Sequence, residues 1–153
     1  DLLVSLRTGW SFTDRAEGFS IFYMSEIADG EEPVRFDSQG RPVGDWATEK
    51  GQKWATAYMP HVMESIRLGQ LVQKHLDREV QSTDRGLRSA RLVLLRSVQM
   101  PAVWVELGVL SNRNDQYRLE NVDFQEQMVT ALYRSIQEYL DTRLGTGSPT
   151  GYY

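Results

Sequence analysis

Cysteine is absent from this chain of 153 residues. Disulfides, thiolate metal sites and cysteine nucleophiles are therefore excluded, and an oxidising compartment is accommodated without being required. Histidine is nearly absent as well: His61 and His75 are the only two. They stand too far apart for the i,i+4 pair of a helical metal site, and each reads as a packed or solvated histidine rather than a ligand. No apolar run is long enough to span a bilayer, so no membrane-spanning segment is expected. A basic excess is missing too. Lys and Arg number 17 against 21 Asp and Glu, a formal net charge of −4, which leaves no general footprint for nucleic acid. There is no internal repeat and no signal peptide, although processing removes the latter from a mature exported chain. What remains is ordinary for a globular protein, 41% apolar and 25% charged, and long enough for one domain with a real core.

The chain is organised around residues 92–112, LVLLRSVQMPAVWVELGVLSN. The pattern predicts a short strand, a turn at Met100-Pro101, a second strand and a tight exit loop. Within 102–107 every position is apolar except Glu106, as in a parallel strand covered on both faces. A carboxylate there is a local contradiction, because a buried charge is costly unless it is paired, protonated or bound to metal. Open α/β sheets gather functional groups beyond the C-terminal ends of their strands, and Glu106 lies near such an end. Either it is a functional carboxylate, or it is structural and held by backbone N–H groups of the following loop.

Upstream, residues 1–6 are a compact apolar run that predicts an interior strand, with Arg7-Thr8-Gly9 at its end. Taken alone, Arg7 reads as a surface arginine. A strand at the very start points to the later part of a larger unit, since domain ends usually sit at the surface. Gly18 opens a second predicted strand over 19–24. Residues 25–58 form a long insertion rich in glycine, proline and acidic residues, well past the usual connection of about 4–6 residues. Trp46 and Trp54 in it are expected either to pack it down or to offer a binding face, as anchors of a lid. Residues 55–80 read as helical, with Pro60 interrupting or opening the helix. Asp84-Arg85-Gly86 reads as a turn, and a loop follows Asn112 through Asn114-Asp115. Asp123 with Glu126 has the pattern of a capping box. Met128, Val129, Leu132, Tyr133, Ile136 and Leu140 then mark a last helix closed by Gly145. The expected fold class is α/β, a mixed or mostly parallel sheet flanked by helices, over residues 1–145, with a flexible tail at 146–153.

From residue 1 to about residue 140 the sequence resembles the later part of the zinc-dependent N-acetylmuramoyl-L-alanine amidases, the peptidoglycan amidases of the cell envelope. Residues 100–112, MPAVWVELGVLSN, are close to that family's MPAVLVELGFLSN. Asp84-Arg85-Gly86, Leu94-Leu95-Arg96, residues 65–73 and residues 18–24 also fall where the family has similar residues. The resemblance implies an amidase-like fold and a periplasmic or otherwise extracytoplasmic location. It places Glu106 at the position of the catalytic acid/base that moves the proton. It implies a site of two histidines and a glutamate, in which zinc polarises the amide carbonyl and activates water. One of those histidines lies in a motif like Ser-Ile-His-Ala-Asn, where this chain has Ser5-Leu6-Arg7-Thr8-Gly9. The former metal-ligand position is thus Arg7, whose guanidinium has no lone pair for a metal, and the other two ligands belong upstream of this sequence. The first expectation is a degenerate amidase-like domain that binds peptidoglycan or a cell-envelope protein, with no cofactor in this chain. The alternative is an active zinc amidase cleaving the amide between N-acetylmuramic acid and L-alanine, with its remaining ligands on sequence not shown. Arg7 is also expected to pair with Glu106 and replace the lost metal charge, and the insertion to cover the site or dock a partner.

Overall fold

The computed structural model describes residues 1–25, 35–36, 42–43 and 57–144. Trp46 and Trp54, most of the 25–58 insertion, Gly145 and the 146–153 tail lie outside the described residues. The elements in chain order are β1 (Leu3–Gly9), β2 (Phe19–Met24), a short antiparallel pair β3 (Arg35–Phe36) and β4 (Pro42–Val43), and a 3-10 turn (Met59–His61) running into α1 (Val62–Glu79). Then come β5 (Asp84–Ala90), α2 (Val93–Arg96), β6 (Ala102–Val109), α3 (Arg113–Glu120) and α4 (Val122–Leu144). Four strands form one sheet in the order β1-β6-β2-β5. β1 runs parallel to β6 and β2 parallel to β5, and the two halves meet through the antiparallel β6/β2 contact. The sheet is mixed and flanked by helices, as the sequence predicts.

Period-2 alternation along β6 sorts its side chains between the two faces. Val103 and Val105 are fully buried and join Phe19, Ile21, Leu68, Val72, Leu76, Ala131 and Tyr139 in the main core beneath α1 and α4. Ala102 and Trp104 go to the opposite face, where a smaller cluster forms with Met24, Tyr58 and Leu95. Glu106 continues that second row. Its position is therefore not inside the main core but on the more thinly covered face of the sheet. Pro60 sits in the 3-10 turn that opens α1, a first-turn position that needs no N–H donor.

Four local expectations need correction. Leu92–Arg96 is not a strand: after β5 ends at Ala90 the chain makes the single helical turn α2, with Leu95 fully buried and Val93 85% exposed. A four-residue apolar run has no periodicity that separates the two states. The strand lies earlier, and Asp84-Arg85-Gly86 begins β5 instead of forming a turn. The turn-like signal comes from a β-bulge, since the register jumps from Phe19↔Asp84 to Ile21↔Leu87 and Gly86 takes φ 95°. Finally, the loop after Asn112 is the helix α3, and α4 is capped by Asn121, whose Oδ1 accepts from Phe124 N at 3.0 Å. Asp123 lies inside α4, one position past its start.

Candidate functional site

β1, β6 and β2 bring Arg7, Glu106 and Ser20 into one row across the sheet. Arg7 is the register partner of Glu106 on one side, and Ser20 is its partner on the other. Paired residues in adjacent strands point to the same face. Arg7 and Glu106 nevertheless form no ion pair. The Arg7 guanidinium lies over the Trp104 ring, 4.5 Å from its centroid. The Glu106 carboxylate turns instead to Arg85, with Oε2 4.0 Å from Nη1, and both side chains are about a quarter exposed. Sequence reasoning missed Arg85 as the cation of this site. The Asp-Arg-Gly tripeptide was the available signal, and the bulge is what carries Arg85 across Ser20 to Glu106.

Gly9 explains where the carboxylate goes. A Cβ built on Gly9 would stand 2.9 Å from Glu106 Oε2, so the absence of a side chain leaves the space the carboxylate occupies. Ser20 is fully buried and its hydroxyl finds no hydrogen-bond partner among the described residues.

The C-terminal end of β6 and the start of β2 are fixed by a second carboxylate. Asp115, 2% exposed, accepts from Gly18 N and Val109 N, both at 2.8 Å, and from Arg118 Nη1 at 3.2 Å. It joins the start of β2, the end of β6 and α3 through one side chain. Gly18 has φ 98°, and an added Cβ would meet Thr83 O at 2.0 Å, so only glycine fits this junction. Asn112 caps α3 through Oδ1, which accepts from Asn114 N and Asp115 N, while its Nδ2 donates to Asp14 O at 2.6 Å. Ser11 N donates to Ser111 Oγ, and Leu110 N to Gly9 O. The loop between β1 and β2 is thus tied to the exit of β6. On that loop Trp10 and Phe12 form an edge-to-face pair 4.8 Å apart, 66% and 96% exposed.

The two histidines lie elsewhere. His75 is buried between α1 and α4, with Nε2 2.7 Å from Glu138 Oε2, and Lys74 Nζ reaches the same carboxylate at 2.7 and 2.9 Å. The hydrogen bond from Lys74, then that from His75, hold the Glu138 carboxyl below its usual range. His61 ends the 3-10 turn, and its carbonyl accepts from Ser65 Oγ. Nearby, Tyr139 donates to Glu64 at 2.9 Å, and burial followed by this hydrogen bond pushes its phenol up to about 12. Among the described residues no group of three or more His, Cys, Asp or Glu side chains is placed to hold a metal ion. Arg7, with no lone pair to donate, cannot complete one. The donor set of these residues therefore does not fit zinc by itself. Among the described residues no helix is long and apolar enough to cross a membrane.

Against known proteins, residues 1–138 match the family described as N-acetylmuramoyl-L-alanine amidase. An uncharacterized cell wall amidase of Bacillus anthracis is 33% identical over 82 residues, which are 54% of this chain and 15% of that protein. The fold is that of an N-acetylmuramoyl-L-alanine amidase from Clostridium difficile 630, with a TM-score of 0.66 at 22% identity over 93% of this chain and 59% of that one. It is similarly that of the CwlD amidase of Clostridioides difficile, solved in complex with the GerS lipoprotein, with a TM-score of 0.64 at 20% identity over 92% and 55% of the two chains. The chain thus spans less than two thirds of the length of each of these proteins.

Proposed function

Because the chain belongs to the N-acetylmuramoyl-L-alanine amidase family, we propose that it is a degenerate amidase-like domain of the bacterial cell envelope, which binds peptidoglycan without zinc-dependent hydrolysis. One observation carries this reading. The position where the resemblance expects a histidine ligand holds Arg7, and its guanidinium is stacked on Trp104. A permanent cation there repels a divalent metal and offers it no electron pair. Glu106, at the position of the acid/base, faces the guanidinium of Arg85 instead of a metal-bound water. The extracytoplasmic location follows from a peptidoglycan ligand, and the lipoprotein complex of a similar chain supports an envelope setting. Residues 25–58, with Trp46 and Trp54, are the proposed cover or docking segment of this site.

The active amidase remains the competing reading, favoured by one feature. Glu106 is retained and partly open at the end of β6, where an acid/base would stand, and the other zinc ligands would be supplied by sequence outside this chain. Two measurements on the protein decide between the readings. Cosedimentation with purified sacculi, no release of free stem peptides, and metal well below one equivalent after dialysis are the expected results. About one tightly held zinc per chain together with peptide release overturns the proposal.

A further inference from the structure

We propose that Arg7, held flat on Trp104, is a fork for a carboxylate of the peptide stem of a bound peptidoglycan fragment. The inference rests on the proposed peptidoglycan binding and names the chemistry of the contact.

A guanidinium lying over an aromatic ring uses its face for the ring and keeps its in-plane N–H donors for a ligand. Arg7 is exposed, and its centre is 4.5 Å from the Trp104 ring centroid. Its neighbour by register, Glu106, is turned toward Arg85. Arg7 therefore has no carboxylate partner among the described residues, although the sheet sets one beside it. Two further cations share this face. Arg85 has only a marginal contact with Glu106, at 4.0 Å. Arg88 pairs in register with Phe22, which pairs with Trp104, so the sheet aims it to the same side. It is exposed, and it too has no acidic partner among the described residues. Among the described residues this face carries Arg7 and Arg85 beside Glu106 at the strand ends, with Arg88 further along β5 at the level of Trp104, in a chain whose net charge is −4. An excess of fixed positive charge at strand ends selects an anion, and the planar fork of arginine suits a carboxylate held by two parallel hydrogen bonds. An open concavity along the edge of β1, bordered by Ser5, Leu6, Arg7, Thr8 and Leu107, leaves Arg7 accessible from the side of the strand. The exposed Trp10–Phe12 pair, just beyond β1, is an apolar neighbour on which a sugar ring of the same fragment can rest.

The test is calorimetric titration of the protein with three ligands: a muropeptide with free stem carboxylates, the same muropeptide with those carboxylates converted to carboxamides, and the peptide-free glycan. Free glutarate serves as a second source of carboxylate. The expected order is tightest binding to the free-acid muropeptide, and weaker binding by roughly ten- to a hundredfold for the amidated one, the range of a lost hydrogen bond to a charged group. Arg7→Ala should weaken the free-acid muropeptide by the same factor and leave the amidated one unchanged. Arg7→Lys, which keeps the charge and loses the fork, should fall between, and its circular dichroism should match the parent. Glutarate competing at low millimolar concentration supports a general carboxylate fork, while failure to compete supports one set for the stem. Preference for free carboxylates that survives Arg7→Ala overturns the inference. Binding to sacculi that ignores both amidation and Arg7→Ala overturns it too and leaves the proposed function standing. No binding to any peptidoglycan form overturns both.

Discussion

Removal of Asp115 should be felt strongly. Its Oδ2 alone accepts from Gly18 N and Val109 N, and the side chain is 2% exposed. Changing Asp115 to Ala leaves two buried backbone donors without a partner. Each such donor costs about 1–3 kcal/mol, so the loss should be about 2–6 kcal/mol. That is a large part of a domain stability that is itself about 5–15 kcal/mol. At roughly 2–4 °C per kcal/mol for a domain of this size, melting should fall by about 4–24 °C. Backbone relief is limited, because Gly18 is wedged against Thr83 at positive φ. Asp115→Asn keeps one carbonyl oxygen as acceptor and should cost distinctly less. Urea unfolding followed by circular dichroism measures both variants. A loss below about 1 kcal/mol for Asp115→Ala, the scale of an ordinary substitution, would refute the reasoning, since it would mean that water or a loop shift satisfies both donors.

Three smaller outcomes follow from neighbouring geometry. Asn121→Ala should cost about 1 kcal/mol as a lost helix cap, whereas Asp123→Ala, exposed within the first turn of α4, should stay within about 0.5 kcal/mol; urea unfolding of the two separates the observed cap from the one predicted by sequence. Glu138 has a lowered pKa in the folded state, so its contribution is present above the ordinary glutamate value and is lost as pH falls through the folded one. Glu138→Gln should therefore flatten the acid side of a stability–pH curve below about pH 4.3 and leave its alkaline side unchanged. Gly9→Ala places a methyl 2.9 Å from Glu106 Oε2; a crystal structure of the variant should show the carboxylate displaced from its place over residue 9, and an unmoved carboxylate would show that the strand yields instead.

The legible parts of the fold are those with a clear apolar pattern. α1 and α4 carry an apolar stripe at helical spacing, β2 alternates, β1 and β6 are short, nearly continuous apolar runs, and the mixed sheet follows from them. β5 and α2 were misread because each depends on a feature without period, a bulge at Gly86 in one and a four-residue apolar run in the other. The site was half legible. Glu106 stood out because a charge inside an apolar strand demands a reason. Asp115 did not, since an aspartate after Asn-Arg-Asn looks like a solvated loop. Its burial exists only once the loop before Gly18, almost a hundred residues away, closes over it. Ser20 was likewise hidden, a small polar residue in a strand whose burial, 0% exposed beside Glu106, is set by packing that the sequence does not show.

The failure of Arg7 to pair with Glu106 has a geometric cause. The two residues are level in the parallel β1/β6 register, but their side chains lean opposite ways along the strands. Arg7 leans back toward Trp104, two positions nearer the start of β6, while Glu106 leans forward over Gly9. The energies at stake are similar: an exposed cation–π contact is worth about 0.5–1 kcal/mol, and an exposed ion pair about 0–1 kcal/mol. Local shape therefore decides between them. The open space at Gly9 draws the carboxylate toward the strand ends, the bulge brings Arg85 within reach of it, and the indole offers Arg7 a flat surface. By the resemblance, Trp104 stands where the family's motif has leucine and Arg7 where it would have histidine, and these two residues touch each other. A leucine would give the guanidinium no π face, and a histidine would be too short to lie over an indole from the same distance. On the proposed reading of a degenerate site, the pair is one change: where the resemblance expects a metal ligand, this chain has a fixed cation and the ring that supports it.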